Sequence, residues 1–154
     1  MNARLDWEEL VRIEGRRQLY RMLSYIVGEE LDRAVLRVVE ERCERCRVPG
    51  YCHACSFEDD EDDVYDEALR DLDVEYVRQL FLETARIRLL DPKLVDFDEI
   101  LVKIREKWVE RQFREEDGPS FMRSMNAGLY SDEFYSEAEA VFLARERVDR
   151  RLEE

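Results

Sequence analysis

The four cysteines of this 154-residue chain all lie within residues 43–55, as two CxxC pairs separated by five residues. The two-residue gap lets both thiols of a pair turn toward one point, and Pro49 and Gly50 supply a reversal that returns the second pair toward the first. Four sulfurs around one point form the ligand shell of a tetrahedral structural Zn²⁺ site. The sequence therefore predicts a zinc site whose ligands are Cys43, Cys46, Cys52 and Cys55.

Two other kinds of site could be formed by the same four cysteines. A [4Fe–4S] cluster also binds four thiolates at compact spacing, and two disulfides can form in an oxidising compartment. The five-residue separation is short for a zinc ribbon, in which about 15–20 residues separate the pairs, but it is compatible with a single zinc-binding lobe. Zinc is the preferred interpretation, the iron–sulfur cluster is the alternative, and disulfides or free thiols come third.

Other side chains of the cysteine segment are expected near the metal without binding it. Arg42, Arg45 and Arg47 flank the first pair, where their positive charge favours thiolate over thiol. His53 is the only histidine of the chain and lies between the second pair. Because four cysteines already complete the shell, we expect His53 to neighbour the site.

Length and composition indicate one folded domain over residues 1–154. Hydrophobic residues make up 45% of the chain and charged residues 42%, which is typical of a globular protein. No apolar run is long enough to span a membrane, and the first residues lack the basic and apolar regions of a secretory signal. We therefore expect a cytoplasmic location, where clustered cysteines hold metal more often than they form disulfides.

The net charge of −14 bears on the class of partner. Such a molecule is repelled at long range by nucleic acid and by anionic membranes, which favours a protein partner and leaves a homodimer open. Residues 58–63 are six consecutive acids. They form an acidic connection that could attract a basic partner or mimic phosphates, but a solvated segment whose end caps a helix is the simpler interpretation.

The remaining sequence predicts an all-α, single-domain bundle of about five to six helices, because apolar residues recur at helical spacing and no stretch alternates with period two. Asp6 is placed to cap the first helix, which Gly28 is expected to end or bend. A further break is expected near Asp73, and Asp91-Pro92 is expected to stop the next helix.

Three further helices follow in the prediction. Asp96 or Asp98 begins the first, a short one at Phe121, Met122 and Met125 is closed by Gly128, and Ser131 caps the last long helix. The predicted apolar faces include Trp7, Leu10 and Val11 in the first helix, and Phe134, Ala138, Val141, Phe142 and Val148 in the last.

Motifs of catalysis are absent from the sequence. The chain has no phosphate-binding GxxxxGK[ST] loop, no GxGxxG and no GxSxG, and its single histidine excludes a two-histidine di-iron bundle. No catalytic residue is assigned, and a catalytic zinc would need an open coordination position. The preferred function is a non-catalytic interaction or adaptor module with a structural zinc. The alternatives are a [4Fe–4S] redox or cluster-sensing protein and a nucleic-acid-binding protein, because the paired cysteines resemble zinc-knuckle sites.

Overall fold

The regular structure of the chain is helical wherever it is described. The computed structural model describes residues 6–43, 61–112 and 132–154. These ranges contain five α-helices: α1 (Trp7–Cys43), α2 (Glu61–Asp71), α3 (Val74–Ile87), α4 (Phe97–Gln112) and α5 (Asp132–Glu153). A short 3₁₀ helix, Pro92–Leu94, lies between α3 and α4. The all-α prediction is confirmed for these ranges. None of the helices described is both long enough and apolar enough to cross a membrane.

Helix α1 is the spine of the bundle. Its 37 residues correspond to a length of about 55 Å, and α2, α3, α4 and the 3₁₀ helix all pack against it. One side of α1 is fully buried at intervals of three and four residues: Leu19, Met22, Leu23, Ile26, Val27, Leu31, Ala34 and Val38. This spacing keeps a single apolar stripe in the core over five turns of helix.

Of the two expectations for Gly28, that it ends the first helix or bends it, the first is wrong. The helix continues without a break through Gly28 to Cys43. A glycine inside a helix costs about 1 kcal/mol relative to alanine, but Ile26, Val27 and Leu31 are completely buried on either side of it. Burial of a large aliphatic side chain contributes about 1.5–3 kcal/mol, so packing outweighs the local preference of glycine.

Contacts between helices show the direction of each one relative to α1. The glycine Gly15 lies against Leu94, just before α4, whereas Asp32 accepts a hydrogen bond from Trp108 near the end of α4. Helix α4 therefore runs parallel to α1. Helix α5 does too, because its residue 137 pairs with Arg21 and its residue 145 pairs with residues 29 and 30. Helix α3 runs the other way, from Tyr76 beside Asp149 to Arg88 beside Gln18.

The core lies between α1 and the helices around it. Phe81 of α3 is almost fully buried and contacts the Phe97 ring at a centroid distance of 5.6 Å. Tyr65 of α2 meets Trp108 edge to face at 5.4 Å. The hydroxyl of the buried Thr84 donates to the Leu80 carbonyl oxygen at 2.6 Å, which satisfies a polar group that would be costly to bury alone.

Aspartates begin three of the helices, and two of them, Asp6 and Asp96, were predicted to do so. Asp6 Oδ1 accepts from the Glu8 amide, Asp73 Oδ1 from the Tyr76 amide at 3.0 Å, and Asp96 Oδ1 from the Asp98 and Glu99 amides. These bonds satisfy amides that have no partner within the helix. Asp73 also separates α2 from α3, which confirms the predicted break.

The end of α3 differs from the prediction. The helix ends at Ile87, before Asp91-Pro92, because the chain turns at Leu89, whose φ is 57°. The Leu90 amide donates to the Ala85 carbonyl at 2.8 Å and the Leu89 amide to the Arg86 carbonyl at 3.2 Å. This is the Schellman geometry that closes a helix with a left-handed residue. Glycine usually occupies that position, and leucine there is strained.

Parts of the predicted apolar faces lie outside the core. Trp7 is 76% exposed and Val11 is 55% exposed, because α1 extends beyond the helices that cover its central part. Phe142, assigned to the apolar side of the last helix, is 61% exposed, whereas Val141 beside it is buried. A one-residue difference on a helix changes direction by about 100°, which is enough to place Phe142 outside the core.

Replacing Gly28 with alanine should stabilise the protein. A Cβ atom built at Gly28 meets nothing within 4 Å, so the helix gains propensity without a clash. We expect the free energy of unfolding to rise by about 0.5–1 kcal/mol, measured by urea denaturation. Gly15→Ala is the matched control, since a Cβ there would lie 2.8 Å from Leu94 Cδ1. Its gain should be smaller, and a loss of stability in Gly28→Ala would contradict the packing argument.

Candidate functional site

The predicted metal site begins where α1 ends. Arg42 and Cys43 lie on α1, in line with the predicted position of the first cysteine pair at the end of this helix, and the described residues of this part of the chain stop at Cys43. The other predicted ligands and neighbours lie outside the described residues: Cys46, Cys52, Cys55, Arg45, Arg47 and His53. Among the residues that the structure does describe, no three histidine, cysteine or acidic side chains are grouped so that they could hold a metal ion.

Helices α1 and α2, which precede and follow the cysteine segment in the chain, pack against each other. Val38, near the end of α1, and Val64, near the start of α2, are both buried. Residues 44–60 therefore connect the ends of two packed helices. The second half of the predicted acidic connection, residues 61–63, forms the first turn of α2, where carboxylates favour the helix dipole. Residues 58–60 lie outside the described ranges.

Arg145 joins α5 to α1 through two carboxylates. Its guanidinium donates to Glu30 Oε1 and, at 2.9 Å, to Glu29 Oε2. The side chains of Arg145 and Glu30 are each only 12% exposed. Burial lowers the pKa of Arg145, but the hydrogen bond and charge of Glu30, followed by Glu29, outweigh it and raise that pKa above its usual value. The guanidinium and its two carboxylate partners fix the position of α5 on the spine.

A second buried carboxylate, Glu137, joins three helices. It lies 3.6 Å from the Arg21 Nε of α1 and 3.5 Å from the Arg88 guanidinium at the end of α3. Arg88 also donates to the Gln18 side-chain oxygen at 3.5 Å. Removing one member of such a group leaves a buried charge without compensation, which is strongly destabilising. The arrangement is that of a structural tie.

Glu83 connects the outer sides of α3 and α5. It accepts hydrogen bonds from Arg147 at 3.2 Å and from Arg151 at 2.8 Å, one helical turn apart. Burial raises the pKa of Glu83, but the bonds from Arg151 and Arg147 have the larger combined effect and lower that pKa below its ordinary value. Nearby, the Tyr76 hydroxyl donates to Asp149 at 2.7 Å, and burial together with that carboxylate raises the Tyr76 pKa to about 12.

The buried charged side chains described above form hydrogen bonds and ion pairs with one another. In the described part of the chain, no buried side-chain nitrogen or oxygen lacks a hydrogen-bond partner. A carboxylate held ionised by arginine is a poor general acid, because its proton affinity is low. The observed pairs therefore stabilise helix contacts. Sequence reasoning missed them because each joins residues far apart in the chain, and the high content of both charges makes chance pairs numerous.

A small cavity lies between α1 and α4. Its volume is about 80 Å³, and Tyr20, Ser24, Gly28, Ile104 and Trp108 are among its lining residues. Ligand pockets for organic molecules usually enclose about 300–1,000 Å³. This cavity is too small for such a ligand. The indole of Trp108, one of the lining residues, donates a hydrogen bond to Asp32 at 3.4 Å. The pKa of Asp32 is raised above its ordinary value, chiefly because the carboxyl group is buried.

A larger apolar groove, which we call the N-terminal groove, lies at the other end of α1. Its volume is about 460 Å³, and its apolar lining comprises Trp7, Leu10, Val11, Gly15, Leu89, Leu90 and Leu94. Glu14, Gln18 and Asp91 also border it. The sequence indicated these α1 residues as apolar but assigned them to a covered face. The strained and exposed Leu89, which forms part of the border, had no sequence signal.

Comparisons of the chain with protein-family models, with curated proteins and with solved structures find no match.

Replacing Glu83 with glutamine should weaken the fold and reduce its sensitivity to acid. Because the folded pKa of Glu83 is lowered, its stabilisation is present above the ordinary glutamate pKa and is lost as the pH falls through the folded pKa. We expect the variant to lose about 1–2 kcal/mol of unfolding free energy at neutral pH and to lose less than the parent on acidification. Chemical denaturation at several pH values measures both effects.

Glu75→Gln is the matched control for that experiment. Glu75 pairs with Arg78 within α3, and its side chain is 64% exposed. Exposed pairs contribute less than about 1 kcal/mol, so this variant should keep the stability and the pH dependence of the parent. Equal effects of the two substitutions would show that the buried bonds of Glu83 add nothing.

Proposed function

We propose that the protein is a non-catalytic interaction module in which a structural zinc, bound by Cys43, Cys46, Cys52 and Cys55, ties the end of α1 to the start of α2. The observation that carries the proposal is the position of Cys43 on α1, five residues beyond the buried Val38, with α2 packed against the same helix. A cysteine segment between two packed helix ends can hold them together when a metal binds it. The cysteine spacing supplies the four thiolates that such a zinc takes.

The zinc would act by stabilising the fold. A closed shell of four thiolates leaves no position for a substrate, and metal binding that requires the folded arrangement adds directly to folding free energy. Residues 44–60 lie between α1 and α2 in the chain, and three of the four proposed ligands belong to this segment. A metal crosslink offsets the entropy of ordering such a segment. Arg42, Arg45 and Arg47 would balance part of the negative charge of the thiolates.

The described helices support binding to another protein over catalysis. Their buried carboxylates are paired with arginines, and the cavity between α1 and α4 is too small for an organic substrate. The N-terminal groove, in contrast, exposes apolar side chains at a surface, which is typical of protein contacts. The net charge of −14 disfavours nucleic acid. Four zinc-binding thiolates require a reducing compartment, so we propose the cytoplasm as the location.

Metal analysis with a visible spectrum, on protein purified without oxygen, tests the proposal. One zinc for each chain and no colour would support it. Iron with sulfide and a broad absorption near about 400 nm would replace it with the [4Fe–4S] redox alternative. The absence of both metals, with disulfides or free thiols in mass spectrometry, would reject the metal site altogether.

Replacing Cys52 or Cys55 with serine should lower both zinc content and stability. A crosslink that closes a loop of this size contributes about 2–4 kcal/mol. We therefore expect the melting temperature to fall by roughly 5–10 °C, with the zinc content lowered in the same samples. Calorimetry and metal analysis provide the two measurements. An unchanged melting temperature in a variant without zinc would show that the metal is not a structural tie.

His53→Ala is expected to leave one zinc bound and the melting temperature unchanged. The substitution lies within the same cysteine pair, so it controls for disturbance of the segment. If His53 replaced one cysteine as a ligand, this variant would lose zinc while one of the four cysteine-to-serine variants retained it. That result would revise the ligand set to three cysteines and one histidine.

A further inference from the structure

The N-terminal groove combines exposed apolar groups from two separate parts of the fold. Trp7 and Val11 of α1 are 76% and 55% exposed, and Leu89, which follows α3, is 91% exposed. Single exposed apolar residues are common, but a contiguous group that includes tryptophan marks a contact surface. Tryptophan is also among the residues that contribute most to protein interfaces.

Leu89 is exposed at a strained backbone position. The stability of the monomer does not explain why leucine occupies that position. Leu89 has a φ of 57° at the position where glycine closes most helices of this geometry. Its side chain is almost completely exposed, so the strain is not offset by burial within the chain. A strained residue without a structural benefit often has a functional role, and here the leucine side chain borders the groove.

On the two flanks of the apolar face at the start of α1, acidic residues come first and basic residues follow. Asp6 and Glu8 precede Arg12 and Arg17, and Glu14, which borders the groove between these flanks, pairs with Arg17 at 2.7 Å within the chain. If two such helices lie antiparallel, the acidic part of each faces the basic part of the other. Asp6 and Arg17 lie on one flank of the apolar face, and Glu8 and Arg12 lie on the other, by the helical period of 3.6 residues. The flanks are therefore complementary to themselves in the antiparallel arrangement.

We propose that the N-terminal groove binds a second copy of this chain, forming a twofold symmetric dimer in which the first part of each α1 lies antiparallel to that of its partner. The indole of Trp7 from each copy fills the groove of the other, against its exposed leucine side chains. A twofold dimer uses the same surface on both copies, and this surface has the required self-complementary order of charges.

The net charge of each copy does not prevent the contact. Two molecules of charge −14 repel each other, but at physiological salt the screening length is about 8 Å. Distant charges are therefore largely screened, whereas the adjacent pairs of Glu8 with Arg12 and of Asp6 with Arg17 retain their attraction. Because the groove is limited in area, we expect a dissociation constant on the order of micromolar.

This dimer specifies one binding surface of the proposed interaction module, yet it does not depend on the zinc. About 55 Å of helix separates the two ends of α1, Trp7 and Cys43. Failure of the two proposals can therefore be distinguished. Zinc content and melting temperature test the cysteine segment, whereas the mass of the particle in solution tests the groove.

Sedimentation velocity of the full chain over a range of concentrations tests the dimer. The parent should shift from monomer to dimer as its concentration rises, and Trp7→Ala should weaken association by about 30-fold or more, as expected for a central interface tryptophan. Phe142→Ala is the matched control, since Phe142 is 61% exposed but lies outside the groove. It should leave association unchanged.

Leu89→Gly separates association from folding. Glycine relieves the strained backbone, so the melting temperature of dilute monomer should rise by a few degrees, whereas the loss of the exposed side chain should weaken the dimer. A charge exchange tests the antiparallel order. Glu8→Arg and Arg12→Glu should each weaken association, and the double variant should restore it. Both residues are well exposed and paired only at 3.9 Å within the chain, so these variants should fold.

Four results would overturn the proposal: a monomer at all concentrations, a dimer that Trp7→Ala leaves intact, a dimer that Leu89→Gly leaves intact, or a double charge variant as weak as the single ones. If the parent is monomeric but the fluorescence of Trp7 indicates a buried indole, another segment of the same chain occupies the groove. If it is monomeric with an exposed indole, the groove is left for a different protein.

Discussion

The continuous apolar stripe of α1 is the feature on which the rest of the structure depends. It provides an uninterrupted surface from Leu19 to Val38, and α2, α3 and α4 each bury their apolar sides against the same helix. Helices of 11–16 residues are marginally stable alone, so they depend on this surface to form. The burial also explains why Gly28 does not interrupt the spine.

Arginine–carboxylate pairs then select one arrangement of the helices around the spine. Helix α5 is positioned by Arg145 with Glu29 and Glu30, and by Glu137 with Arg21 and Arg88. Apolar contacts are non-directional, whereas a buried guanidinium with two carboxylates requires a defined geometry. Charged residues make up 42% of the chain, and such pairs give some of them a structural role. A structural role is sufficient to explain why these acidic side chains are buried.

The two proposals assign different roles to the two ends of α1. At the end marked by Cys43, the cysteine segment would add a metal crosslink between α1 and α2. At the end marked by Trp7, the helix extends past its neighbours and leaves apolar side chains uncovered. One end would therefore contribute stability and the other recognition, because a rigid helix of about 55 Å keeps the two functions apart.

The sequence by itself determined the features that depend on nearby residues. Helical periodicity predicted the all-α class and placed Cys43 on the first helix, and Asp6 and Asp96 predicted where two helices begin, because a cap acts within one turn. A break near Asp73 was also predicted, and the CxxC spacing defines the thiol set that remains the predicted zinc site. Tertiary structure alone decided which apolar residues are covered, that α1 passes through Gly28, and which arginine meets which carboxylate. Those outcomes depend on residues distant in the chain, where burial energy outweighs local preference, so no local pattern could reveal them.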